Sequence, residues 1–192
     1  MSKRREEIPN PLLSKLLRGI NECKVDQNEQ GLKTINDAID EGADALHNLG
    51  FGDTPFTIAV RYGLTKVVKL MMDKNIDPHQ ADSLGIARFV KYNEAGYNAT
   101  ALHVAAKFKQ PEVAKILFEK MNCNFDKNNK FSPLHIAILN GDTNTATTLL
   151  QYNCDPNARD FFMGKNAYEW AEDYGGDNFK NFNFADDYST KE

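Results

Sequence analysis

The sequence predicts an all-α repeat solenoid of about five helix-turn-helix units, and three observations carry that prediction. One short phrase returns four times after residue 50: Thr54-Pro55-Phe56-Thr57-Ile58-Ala59, Thr100-Ala101-Leu102-His103-Val104-Ala105, Ser132-Pro133-Leu134-His135-Ile136-Ala137 and, more weakly, Asn166-Ala167-Tyr168-Glu169-Trp170-Ala171. Its starts lie 46, 32 and 34 positions apart, a period that belongs to stacked supersecondary units. After each phrase come the same events: a short helix, a tight turn, a second amphipathic helix, and a small polar turn ending in Asp or Asn.

Residues 1–10 are expected to form a flexible N-terminus, and 11–50 a capping unit. In that unit Leu12, Leu13, Leu16, Leu17 and Ile20 share one helix face, and Leu32, Ile35, Ala38 and Ile39 share another. Asn21 to Gly31 reads as a long polar link, with Cys23 exposed in it. An end unit needs one polar outer face, which fits this irregular composition. In the second unit, 51–97, Thr54 caps a helix and Pro55 occupies its first position, where a missing N–H costs nothing. Gly63 reverses the chain, Leu64, Val67, Val68, Leu70 and Met71 line the returning helix, and Asn75-Ile76-Asp77-Pro78 stops it.

The third unit, 98–129, replaces the glycine turn by Lys109-Gln110-Pro111. Pro111 then opens a helix that buries Val113, Ala114, Ile116, Leu117 and Phe118. The fourth, 130–163, turns at Gly141 and runs through Leu149-Leu150 into Asn153-Cys154-Asp155-Pro156-Asn157-Ala158-Arg159-Asp160. The last, 164–192, is a C-terminal capping unit with an acidic tail: a helix around Tyr168–Tyr174, then Phe179, Phe182 and Phe184 to cover the end of the core. The 46-residue gap exceeds a period near 33 by about 13 positions. The excess falls in a long inserted finger at about 80–98, where Phe89 and Tyr92 are costly to leave bare in a mere linker.

With these elements in place the chain resembles the ankyrin-repeat family, whose pattern begins T-P-L-H-x-A and closes each repeat with a Gly-Ala-Asp-like turn into a β-hairpin-like finger. Gly42-Ala43-Asp44 carries that turn literally, and Gly164 to Ala171 is similar to a frequent terminal variant. The resemblance covers roughly residues 12–177. It implies an ankyrin stack acting as a non-enzymatic protein–protein interaction module: an adaptor, scaffold or regulator that takes a protein or peptide partner on its concave groove and extended finger. An alternative under the same resemblance is an effector that an intracellular bacterium delivers into a host to bind a host protein.

Composition narrows the compartment and the partner class. No apolar stretch follows the cations of Met1 to Glu7 and no apolar run reaches membrane-spanning length, so no secretory signal and no membrane segment is expected. Cys23, Cys123 and Cys154 are too scattered for a disulfide framework or a zinc site, which agrees with a reducing compartment. The expected location is cytoplasmic, with nucleus and host-cell cytosol as the other reducing options. Net charge is −4, yet residues 54–130 carry 12 Lys/Arg against 7 Asp/Glu, while 131–192 carry 4 against 10. The basic middle attracts an acidic partner or simply solvates outer helix faces, the second being the commoner case. Acids interleave with these bases, so no nucleic-acid footprint is expected.

The residues that look chemical have repeat explanations. His103 and His135 share one repeat position, where the resemblance implies an imidazole bridging neighbouring loops rather than a metal ligand or general base. Cys123 and Cys154 fall near one turn and read as small buried residues. Glu169, Glu172 and Asp173 read as a solvated helix face, and Gly50-Phe51-Gly52 lacks the sequel of a phosphate loop. No enzyme activity, cofactor or metal is therefore expected.

By resemblance, the variable contact positions lie seven and eight residues past each phrase start and at the finger bases. They are Arg61 and Tyr62, Lys107 and Phe108, Leu139 and Asn140, Asp173 and Tyr174, with Phe51, Asp53, Tyr97, Phe131, Met163 and Lys165 before the phrases. Phe89 and Tyr92 of the inserted finger join them. Asn157, in its Asp-Pro-Asn-Ala turn, is similar to the finger asparagine that hydroxylases modify in some ankyrin-repeat proteins; turn stabilisation is the plainer role.

Overall fold

A computed structural model of the 192-residue chain describes residues 10–49, 53–77, 100–121, 132–160 and 163–184. Four helix pairs and a closing helix follow one another: α1 (Pro11–Asp26) with α2 (Glu29–Asp40), α3 (Pro55–Arg61) with α4 (Thr65–Asp73), α5 (Ala101–Lys107) with α6 (Pro111–Met121), α7 (Pro133–Leu139) with α8 (Thr143–Gln151), then α9 (Ala167–Tyr174) and a 3-10 turn (Gly176–Phe179). The first helices stack on one another as α1, α3, α5, α7 and α9, and the second helices as α2, α4, α6 and α8. Two helical layers so arranged make a solenoid in which each unit touches only its neighbours. The stack continues directly from α3 to α5 and from α4 to α6, so the insertion leaves the repeat packing intact.

The repeated phrase folds the same way each time because its first residue caps the helix. Thr54 accepts from the Thr57 N–H at 3.0 Å, Ser132 from His135 at 3.5 Å and Asn166 from Glu169 at 3.0 Å. The side chain at the third helical position returns the bond to the cap in every case, forming reciprocal capping boxes. Pro55 and Pro133 follow at the first helical position, as expected.

The turns are equally periodic. Gly63, Lys109 and Gly141 all take left-handed backbone, at φ 66°, 55° and 64°. Each is followed by a residue whose N–H reaches back five positions, Leu64 to Ala59, Gln110 to Ala105 and Asp142 to Ala137. At the ends of the second helices Gly42, Asn75 and Asn153 play the same part. Backbone hydrogen bonds close the finger bases, Leu49 N–H to the Asp53 carbonyl in one and, in the last, Asp160 N–H to Lys165 with Gly164 N–H to Asp160; the described residues contain no β-strand.

The first unit departs from the sequence reading. The expected link from Asn21 to Gly31 is mostly helix, since α1 continues to Asp26 and only Gln27 and Asn28 separate it from α2. Cys23 is buried rather than exposed, because Leu16, Ile20 and Cys23 continue one apolar stripe at helical spacing while Asn21 and Lys24 face outward. The two helices cross at glycines. A Cβ on Gly19 would stand 2.7 Å from Ile35 Cγ1, and one on Gly31 would stand 2.6 Å from Cys23 Sγ. The inserted finger at 80–98 and Cys123 lie outside the described residues.

Candidate partner-binding surface

The middle first helices are all seven residues long, so positions seven and eight past each phrase start fall at their C-terminal ends. Because α3, α5, α7 and α9 form one column, these ends line up as successive rungs. The rungs are Arg61 and Tyr62, Lys107 and Phe108, Leu139 and Asn140, and Asp173 and Tyr174.

Tyr62 is 53% exposed, with the Lys24 ammonium 4.0 Å from its ring centre. Leu139 is 39% exposed, and Tyr174 and Met163 are similarly open. Phe108 is different in kind: it lies half-buried against the core, with the Arg61 guanidinium 5.0 Å from its ring centre. Arg61 meets Asp53 in a bidentate pair, one arm of which spans 3.0 Å between Nη1 and Oδ2. That pair ties the finger base to the helix end and holds the guanidinium over Phe108. Lys165 pairs with Asp173, while the Tyr174 ring leans on Trp170 and its hydroxyl points at Met163 Sδ. Phe51, Phe89, Tyr92, Tyr97 and Phe131 lie outside the described residues.

Asn140 is occupied internally. Its Nδ2 donates to the Ala106 and Lys107 carbonyls at 3.2 and 3.1 Å, satisfying the end of the preceding first helix. Gln110 does the same for α3 through the Arg61 carbonyl at 3.2 Å, and Asn178 reaches the Gly141 carbonyl at 2.8 Å. Gln27 works at the opposite pole of a helix, accepting the Lys66 N–H at the start of α4, whose N-cap Leu64 has no capping side chain. Asn140 stands among the contact positions expected from the sequence, but the cross-repeat role of these amides is not marked there, because they sit at different offsets from the phrase.

His103 and His135 stand inside the stack. Thr100 N–H meets His103 Nδ1 at 3.0 Å and Ser132 N–H meets His135 Nδ1 at 3.3 Å, so each ring completes its own helix cap. His135 also lies close to the Lys165 backbone of the next finger and packs edge-on to Trp170, with centroids 5.8 Å apart. Burial pushes its pKa below the ordinary imidazole range, opposed by nearby Asp160 and by the Lys165 backbone. Asp160, buried beside it, accepts from the Met163 and Lys165 N–H groups and from Trp170 Nε1 at 2.8, 2.9 and 2.8 Å. That carboxylate organises the last finger, and nothing earlier in the sequence marked it out. Cys23 and Cys154 are buried thiols, and burial raises the pKa of Cys23, which favours its protonated form. Among the described residues no three His, Cys, Asp or Glu side chains gather closely enough to hold a metal ion. Asn157 is exposed, its N–H turned back to Asp155 Oδ1 at 2.8 Å.

A family model described as ankyrin repeats (3 copies) matches residues 80–160, and one described as ankyrin repeat matches 51–83. The chain belongs to the ankyrin-repeat family. Ankyrin repeats are generally protein–protein interaction modules and typically non-enzymatic. The matches take in the second to fourth units, including the 80–98 insertion. No helix among the described residues is long and apolar enough to cross a membrane.

Proposed function

We propose that this ankyrin-repeat chain is a binding module, an adaptor or regulator, that holds a protein or peptide partner along the column of first-helix ends. One observation carries the reading: Tyr62, Leu139 and Tyr174 keep large apolar surface in solvent at equivalent rungs of one column, with Phe108 between them. Exposed apolar side chains repeated along one face are the mark of an interaction surface, and aromatic and Arg residues are the usual energetic anchors. The side chains that look catalytic are engaged in capping and packing, so binding rather than chemistry accounts for this face.

Within the column the rungs divide their work. Arg61, Phe108 and Asn140 fasten the repeats to one another, and Tyr62, Leu139 and Tyr174 remain for a partner. Tyr62→Ala with Leu139→Ala is therefore the decisive pair. Affinity capture followed by binding measurements on the recovered partner should show a loss of at least tenfold in affinity with a nearly unchanged melting temperature. Partner binding unaffected by the double substitution would move the site elsewhere.

A further inference from the structure

A second surface lies on the opposite layer of the stack, between the outer helices α2 and α4. Leu32 and Asn36 stand four residues apart on α2, and Lys66 and Leu70 four apart on α4, so each pair presents one helix face to the other across a groove. Lys33 completes the lining of the groove, which is shallow and open to solvent and holds about 350 Å³. That is the small end of binding-pocket sizes, room for one or two inserted side chains. Leu32 and Leu70 pack against the core on one side and stay half-exposed on the other, which makes an apolar floor.

The charged side chains that line the groove, Lys33 and Lys66, are both cations. Lys33 and Lys66 are exposed, and neither is ion-paired among the described residues. Lys69 stands exposed one turn from Lys66. The acids of the same helices are engaged elsewhere or leave the cations unpaired. Asp40 is held by Lys74 at 2.5 Å and by Asn36 at 2.9 Å, Asp73 has a partner of its own, and Glu29 and Asp37 stay beyond ion-pair distance of Lys33. Asn36 spends its Nδ2 on Asp40 and leaves its carbonyl oxygen to accept a bond from a peptide N–H.

We propose that the α2–α4 groove docks an acidic peptide segment that inserts an apolar side chain between Leu32 and Leu70 while its carboxylates meet Lys33 and Lys66. Charge complementarity chooses this occupant over a basic or neutral one. The surface is separate from the column of first-helix ends, so the two are testable apart.

The test uses two labelled nine-residue probes with leucine at the centre, flanked by Asp/Glu in one and by Lys in the other. Fluorescence anisotropy on the full chain should show the acidic probe binding more tightly, with affinity falling as ionic strength rises. K33E with K66E should weaken the acidic probe on the order of tenfold and improve the lysine probe, since two rim charges reverse. Tyr62→Ala with Leu139→Ala should leave it unchanged. Amide shifts in NMR spectra should centre on Leu32, Asn36 and Leu70. Equal binding of the two probes, or an acidic probe indifferent to the charge reversal, would overturn the proposal. So would sedimentation showing a wild-type dimer that K33E with K66E dissolves, because the occupant would then be a second copy of this chain.

Discussion

The two ends of the stack meet the same requirement with different materials. At the N-terminal end, two helices of 16 and 12 residues cross where Gly19 faces Gly31, so backbone lies nearly on backbone and the outer faces stay polar. At the C-terminal end, among the described residues, no second α-helix follows α9. A 3-10 turn brings Phe179, Phe182 and Phe184 together, with neighbouring ring centres 4.9 and 4.8 Å apart, and on α9 Trp170 donates to Asp160. One end is closed by the absence of side chains, the other by the largest ones. The first end should therefore resist added volume badly and the second should resist lost volume badly.

The largest expected effect is at the aromatic end. Trp170→Ala removes a fully buried ring and one of the donors that Asp160 accepts, and should cost about 4 kcal/mol. Because each unit touches only its neighbours, the loss should spread inward from that end. Hydrogen exchange should show protection falling first in α9 and α7 while α1 and α2 hold theirs. A uniform loss across all helices would mean that the stack unfolds as one unit and that the two ends are not separable.

At the glycine end the complementary change is an addition. Gly31→Ala puts a Cβ 2.6 Å from the Cys23 sulfur, and overpacking of this kind costs about 1–3 kcal/mol. The nearest atom is a side-chain sulfur, so Cys23→Ala should recover part of the loss. A double-mutant cycle by chemical denaturation should then give a favourable coupling between the two positions. Strictly additive effects would place the strain on the backbone instead, against the Gly19 carbonyl 3.2 Å away.

A third test separates the ends by pH. His135 is neutral and buried, and its pKa is depressed below the imidazole value of about 6.5 that the unfolded chain has. As pH falls below that value the unfolded state binds a proton that the folded state refuses. The contribution is thus intact at pH 7 and declines on acidification. Melting temperature should fall between about pH 6.5 and 5, with exchange rising first around α7 and the last finger. His135→Gln should lower stability at pH 7 but flatten that slope. An unchanged slope would assign the acid sensitivity to another group.

What the sequence made legible is what repeats. The phrase, its caps and the turn positions recur in register, and periodicity marks such features without any knowledge of contacts. Cys23 was misread because its local neighbours, Asn21, Glu22 and Lys24, are polar, while its helix stripe reaches back to Leu16 and Ile20. Asp160 and the amides of Gln110, Asn140 and Asn178 were not legible for a further reason. Their partners lie in other elements, at sequence distances that share no common offset, so no period betrays them. The binding column was legible as positions, but which rungs are open to solvent depends on ion pairs such as Asp53 with Arg61 that only the packed chain displays.

The smallest effect lies midway between the ends, at the turn where Lys109 stands in the place of glycine. Its φ of 55° puts a Cβ where only glycine sits without strain, as Gly63 and Gly141 do in the flanking repeats. Lys109→Gly relieves that strain, and the greater freedom of glycine in the unfolded chain offsets part of the gain. The net should be a stabilisation of about 0.5–1 kcal/mol, read as a higher denaturation midpoint at unchanged slope. The position also tests how the ends communicate. If the third unit couples them, firming its turn should raise exchange protection in α3 and α7 together, on both sides of the change. Protection raised only within α5 and α6 would show that each half answers to its own cap.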